Sequence, residues 1–249
     1  MLVSDVFRHA GWAFGQVYEN LRALAIDGNF LWFVTVFPLI PIVGVPASSA
    51  LERAILQVEG PVNAVQLFVI IVVGTGLTGF LAGPGTAGLF HVAQRHLDGE
   101  DARIRDFLHG FRTHFMRAWF LFIIDMFLLY GLVMGFIFYT GTGIFLIQGL
   151  GFLSLYFVLL WVASQAYLFP LALHYDMSPY HAFRNAVVLA LSAPGPSIAF
   201  FLLVLICTAS TLLLFPIVFF TAITLALVGL RMTQERLTSF GVEPPQTHQ

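Results

Sequence analysis

The sequence predicts an all-α protein: a polytopic bundle of about six membrane-spanning helices with amphipathic helices at the membrane surface. Three observations predict it. Of 249 residues, 59% are hydrophobic and only 10% charged, against about 25% charged in an ordinary soluble domain. Four long stretches hold almost no Asp, Glu, Arg or Lys: 28–51, 60–94, 118–175 (interrupted only by Asp125) and 185–230. Each reaches the ~20 residues that a helix needs to cross the hydrocarbon core, and the last two have room for two crossings. The basic residues, all Arg and no Lys, fall to one side of the membrane once six spans are drawn.

Residues 1–28 form the first unit. Val6, Phe7, Ala10, Phe14, Val17, Leu21 and Leu24 recur at three- and four-residue spacing, with Arg8, Glu19 and Arg22 mostly off that stripe. This pattern predicts an amphipathic helix lying on the membrane. Asp5, Arg8, Glu19, Arg22 and Asp27 interrupt the apolar run that a cleavable signal peptide would need.

The membrane bundle spans residues 29–236. Span one, about 29–50, opens with Asn29-Phe30-Leu31-Trp32, placing Trp32 in the interfacial aromatic belt; Pro38, Pro41 and Pro46 kink it. Span two, about 63–82, carries Gly74, Gly76 and Gly79 as packing surface. It meets Gly83-Pro84-Gly85-Thr86-Ala87-Gly88, which reads as a helix break, with a further helical piece over 89–97. Residues 98–117 interleave Arg103, Arg105, Asp106, Arg112 and Arg117 with Ile104, Phe107, Leu108, Phe111 and Phe115, a second amphipathic helix. Spans three (about 118–139) and four (about 144–170) form a hairpin across Gly141-Thr142-Gly143. Residues 178–192 read as a third interfacial helix, with Ser178 as cap and Pro179 at its first position. Pro194-Gly195-Pro196 breaks the chain before spans five (about 197–214) and six (about 217–234), which turn near Pro216. Residues 237–249 read as a flexible cytoplasmic tail.

With the N-terminus inside, the inner segments hold Arg8, Arg22, Arg95, Arg103, Arg105, Arg112, Arg117, Arg184, Arg231 and Arg236, and the outer segments hold Arg53 alone. Cytoplasmic loops collect basic residues, so both termini are expected in the cytoplasm. An odd span count would move Arg231 and Arg236 outside.

The net charge of −2 offers no basic face for nucleic acid. Cys207, the lone cysteine, sits in an apolar run and reads as a small buried residue. His91, His96, His109, His114, His174 and His181 all fall on the predicted cytoplasmic side. The i, i+5 spacings of His91/His96 and His109/His114 share a helix face poorly, and no HExxH or cysteine-pair motif is present. No metal and no cofactor is therefore expected. No Ser-His-Asp or Cys-His arrangement is readable, and the chain is read as not an enzyme.

The candidate binding residues are Asp125, Gln165, His174, Tyr175, Arg184, Asn185, Pro84 and Thr86. Asp125 is the acidic residue inside a span. Such carboxylates usually face a cavity or a partner, here Arg117 or Arg184; the alternative to a proton or cation site is interfacial pairing. Gln148 and Gln165 can hydrogen-bond between helices. The Gly83-to-Gly88 break can line a solute path or act as a hinge. The 103–117 segment fits anionic lipid, a protein partner, or positive-inside topology alone.

Several segments resemble the YesL family of bacterial multi-pass membrane proteins. Tyr167-Leu168-Phe169-Pro170, then His174-Tyr175-Asp176, then Phe183-Arg184-Asn185-Ala186 carry the strongest likeness. Gly83-Pro84-Gly85-Thr86-Ala87-Gly88-Leu89-Phe90 followed by Arg95, Asp106-Phe107 and Phe111-Arg112 carries the second. Asn29-Phe30-Leu31-Trp32 and Phe215-Pro216 add to it. The chain departs from the family pattern near its start: Val45-Pro46-Ala47-Ser48-Ser49-Ala50-Leu51 looks like the proline motif that recurs at Gly83, so either a span is inserted or the motif is duplicated. The resemblance implies an integral protein of the bacterial inner membrane without an established activity and, by genomic association, an accessory role in carbohydrate transport. It supplies no binding or catalytic residues.

Three readings follow. The first is a protein that assists or performs transport of a small solute, carbohydrate-related by the resemblance, with membrane lipid and a transporter permease as partners. The second is a scaffolding partner of a membrane complex. The third is a membrane-embedded enzyme. A polar cavity near Asp125, Gln165, His174 and Arg184 would favour the first.

Overall fold

Ten helical segments and no strand make up the described part of the chain. The computed structural model describes residues 2–36, 64–141, 144–214 and 217–242. In order they are α1 (Val3–Glu19), a π-helical segment (Leu21–Phe30), α2 (Leu31–Val36), α3 (Ala64–Leu97), α4 (Ile104–Thr113), α5 (Phe115–Gly141), α6 (Phe145–Leu173), α7 (Pro179–Ser192), α8 (Pro194–Leu213) and α9 (Val218–Ser239). The predicted kinks at Pro38, Pro41 and Pro46, the outer Arg53, the turn at Thr142-Gly143, Phe215-Pro216 and residues 243–249 of the tail lie outside the described residues.

Three of these helices offer stretches long and apolar enough to cross a membrane: Phe115–Gly141, Ile147–Leu173 and Pro194–Thr211. Their outer faces carry Phe138 at 68%, Phe145 at 85% and Phe152 at 67% exposure. Side chains of that kind in continuous array belong against lipid, since a water-facing surface seldom carries so large an apolar patch. The protein is a helical membrane bundle.

The predicted break at Gly83-Pro84 is not a break. α3 runs without interruption from Ala64 to Leu97, with Pro84 inside it. The glycines serve close approach instead. A Cβ on Gly83 would stand 2.6 Å from the Ala118 carbonyl oxygen of α5, and one on Gly88 would stand 2.8 Å from the Phe107 carbonyl oxygen of α4. Small residues let membrane helices meet backbone to backbone, and neighbouring helices make an internal proline tolerable. The helical piece expected over 89–97 is thus the end of the same helix. Pro170 likewise lies inside α6, which continues to Leu173.

α1 is amphipathic as its spacing predicts, but its stripe divides. Val6, Ala10 and Val17 are buried, while Phe7 and Phe14 stay exposed; in the π-helical segment that follows, Leu24 is buried and Leu21 exposed. Three contacts hold this helix to the bundle. His9 Nε2 lies 2.9 Å from Glu235 Oε1 of α9. The Arg231 guanidinium stands 3.3 Å from the Trp12 ring centroid. Gln16 Oε1 meets His96 Nε2 of α3 at 2.9 Å. α1 therefore packs into the helix bundle rather than resting on lipid alone.

Asn29, fully buried, ties the π-helical segment to the start of α9. Its amide donates to the Val218 carbonyl at 2.7 Å, and its Oδ1 accepts from the Ile223 N–H at 2.8 Å. α7 ends at Ser192 and α8 begins at Pro194, as the Pro-Gly-Pro string predicts. Ser178 precedes α7 with Pro179 at its first turn; the Ser178 hydroxyl meets His181 Nδ1 at 2.7 Å instead of capping the backbone. The predicted spans five and six are separate helices, α8 and α9, with α9 extending to Ser239, past the predicted start of the tail.

Candidate functional site

Asp125 and the polar end of the bundle turn out to be different places. Asp125 sits on α5, 2% exposed. Its Oδ1 accepts from Trp161 Nε1 and from Gln165 Nε2, both at 2.9 Å. Trp161 and Gln165 lie four apart on α6 and so share a face. The sequence suggested Arg117 or Arg184 as partner. Arg117 instead pairs with Asp176 and donates to the Ala172 carbonyl at 3.3 Å, and Arg184 stands exposed on α7. The α5–α6 hairpin meets the carboxylate with its own neutral donors, and among the described residues no cation pairs with it. Gln148, near the hairpin's other end, donates to the Thr140 carbonyl at 3.5 Å, so both glutamines of span four bridge helices as expected.

At the opposite end a cavity of about 630 Å³ opens between α3, α6, α9 and the loop after α3. α3 supplies Ala87, Phe90, His91, Gln94 and Arg95; the loop supplies Asp98 and Glu100; His114, between α4 and α5, closes one side; Pro170, Leu173 and His174 close the other, with Leu230 of α9. His91, Gln94 and Arg95 recur at i, i+3 and i+4 on one face of α3, and Asp98 follows at i+7 just past its end. Phe90 is held as a wall by stacking on Phe169, centroids 5.8 Å apart and planes 9° apart.

Arg95 bridges Glu100 and lies 3.4 Å from Asp106. Gln94 donates from Nε2 to Asp98 at 2.9 Å, yet its Oε1 is buried without a partner among the described residues, as is His174 Nε2. Buried polar atoms left unsatisfied cost about 1–3 kcal/mol each, and both of these belong to residues that line the cavity. Burial holds the imidazoles in their neutral form. It pulls His91 down to about 4, helped by the neighbouring His109 and His114, and it lowers His114 and His174 as well.

The predicted site residues divide between these places. His174 lines the cavity, and Tyr175, edge-on to it at 5.0 Å, has a buried hydroxyl without a partner among the described residues. Asp125 and Gln165 belong to the hairpin. Thr86 accepts from Trp32 Nε1 at 3.1 Å, in a helix that Pro84 does not break. Asn185 contacts Met177 Sδ at 3.3 Å, and Arg184 is exposed and does not line the cavity. Among the described residues no group of three or more His, Cys, Asp or Glu side chains could hold a metal ion. The sequence reading passed over His91, Gln94, Arg95, Asp98, Glu100 and His114 as a group; the polar i, i+3, i+4, i+7 spacing at the end of an apolar helix was the signal for four of them.

Residues 62–136 match the model of a family described as a protein of unknown function, DUF624. YesL proteins contain this region, so the resemblance is borne out over the stretch holding Gly83 to Gly88, Arg95, Asp106-Phe107 and Phe111-Arg112. No curated protein and no solved structure matches the chain.

Proposed function

We propose that this membrane protein binds a small polar solute in the cavity beside His174 and assists or performs its transport, without catalysing a reaction. The observation that carries the reading is the cavity itself, lined by Gln94 and His174, whose Oε1 and Nε2 are buried without partners among the described residues. Its volume falls in the roughly 300–1,000 Å³ range of small-molecule sites. Ten of the eleven basic residues lie on the side that would face the cytoplasm, and contacts such as Arg231 on Trp12, Gln16 to His96 and Arg95 to Asp106 gather that end of the bundle. The cavity then opens to the cytoplasm of a bacterial inner membrane. A carbohydrate is the solute class that the YesL resemblance implies, with a transporter permease as partner. A scaffolding role is the second reading, favoured by the exposed Arg105 and Arg112 of α4.

The test is a thermal-unfolding screen of the detergent-purified protein against sugars, other small polar solutes, lipids and metals. A solute at about 100 times its Kd stabilises by roughly 2.7 kcal/mol. We expect such a shift from at least one solute, lost in Gln94→Leu. A screen flat for every solute, alongside co-purification with permease subunits, would favour scaffolding instead.

A further inference from the structure

The cavity's charges select what it can hold. Among the described residues that line it, the one guanidinium, Arg95, is already met by Glu100 and Asp106. Asp98 has no cation within ion-pair distance among the described residues and receives only the Gln94 amide. The imidazoles add no charge at pH 7, because burial keeps them neutral. Among the described residues carboxylates thus outnumber cations around the cavity, and Gln94, which lines it, has a buried Oε1 without a partner. An anionic solute would meet like charge with no free cation to receive it. A neutral polyol would leave the excess charge unanswered. An ammonium group answers both: its three N–H donors match carboxylate, amide oxygen and imidazole nitrogen.

We infer that the cavity is a site for a small organic amine in its ammonium form, held by Asp98 and Glu100 at the mouth and by Gln94 Oε1 and His174 Nε2 inside. The inference rests on the reading of this cavity as a solute site and names its ligand class. Asp98 and Glu100 are exposed, so they draw the cation in from solvent, while the buried Gln94 fixes its place.

Isothermal titration calorimetry of the full chain in detergent, with 1,4-diaminobutane, glucose and glucose 6-phosphate as probes, tests it. We expect binding of the diamine, at least tenfold weaker binding of glucose, and none of the phosphate. Asp98→Asn, an exposed and fold-neutral change, should weaken the diamine at least tenfold; Gln94→Leu should do the same with the thermal midpoint retained. Glucose binding tightly while the diamine does not would overturn the amine inference and leave the solute site standing. Tightest binding of glucose 6-phosphate, or diamine binding indifferent to Asp98→Asn, would overturn it as well. Silence from all three probes would remove the amine inference, and the broader screen above would then decide the solute reading by itself.

Discussion

The α5–α6 hairpin and the cavity end of the bundle handle buried polarity in opposite ways. In the hairpin, one carboxylate lies deep among apolar helices with Trp161 and Gln165 aimed at it. Two residues that line the cavity, Gln94 and His174, have Oε1 and Nε2 buried without protein partners among the described residues. A satisfied group rigidifies a structure, whereas an unsatisfied one invites something to satisfy it. Position inside the membrane made Asp125 the obvious candidate, and its geometry shows a fastener between helices. The histidines at the rim, each unremarkable alone, share the open space.

The largest effect should come from disrupting what brings both regions together. Gly83→Leu drives a side chain against the Ala118 carbonyl and should destabilise by roughly 3 kcal/mol, read as a fall in thermal midpoint; an unchanged midpoint would mean that α3 and α5 do not meet there. Next, Asp125→Ala strands the Trp161 and Gln165 donors and should cost about 2 kcal/mol. Asp125→Asn keeps an acceptor and should recover most of that loss. If Asn behaves as badly as Ala in stability, charge rather than hydrogen bonding holds the hairpin; if Asn is stable but abolishes solute transport, Asp125 works as an ion carrier.

A pH dependence of stability also separates the regions. The folded His91 sits near 4, below its ordinary 6.5, and His114 and His174 shift the same way. The unfolded chain therefore takes up protons first as pH falls, so stability is full above about 6.5 and declines from there towards 4. A midpoint that rises on acidification would contradict the neutral cavity; His91→Gln should flatten part of the decline. The smallest effect is expected from Arg184→Gln, an exposed residue of α7, which should change stability by less than ~0.5 kcal/mol and leave solute binding intact.

Much of this architecture is readable from residues alone. The charge-free runs give α5, α6 and α8, and Pro194-Gly195-Pro196 gives the boundary before α8. The Gly83-Pro84 string misleads because such a string ends helices in water, while in a bilayer it can be a contact surface. The Asp125 partners are half legible. Counting from Asp125 forward to Gly143, and onward by the same number, reaches Trp161, so a hairpin register finds one donor. The cavity is legible as a polar face on α3, but its closure by His114 and His174 depends on how four separate segments meet, and no local pattern encodes that.

On the proposed function the cavity end opens to the cytoplasm while the hairpin is closed to it. Cysteine labelling tests both halves at once. With Cys207 replaced by Ser, single cysteines are placed at His174 or at Gln165, and inverted membrane vesicles are treated with a membrane-impermeant maleimide. Rapid labelling at 174 with protection at 165 is the expected result; labelling at 165, or labelling at 174 only from the opposite face, would contradict the account.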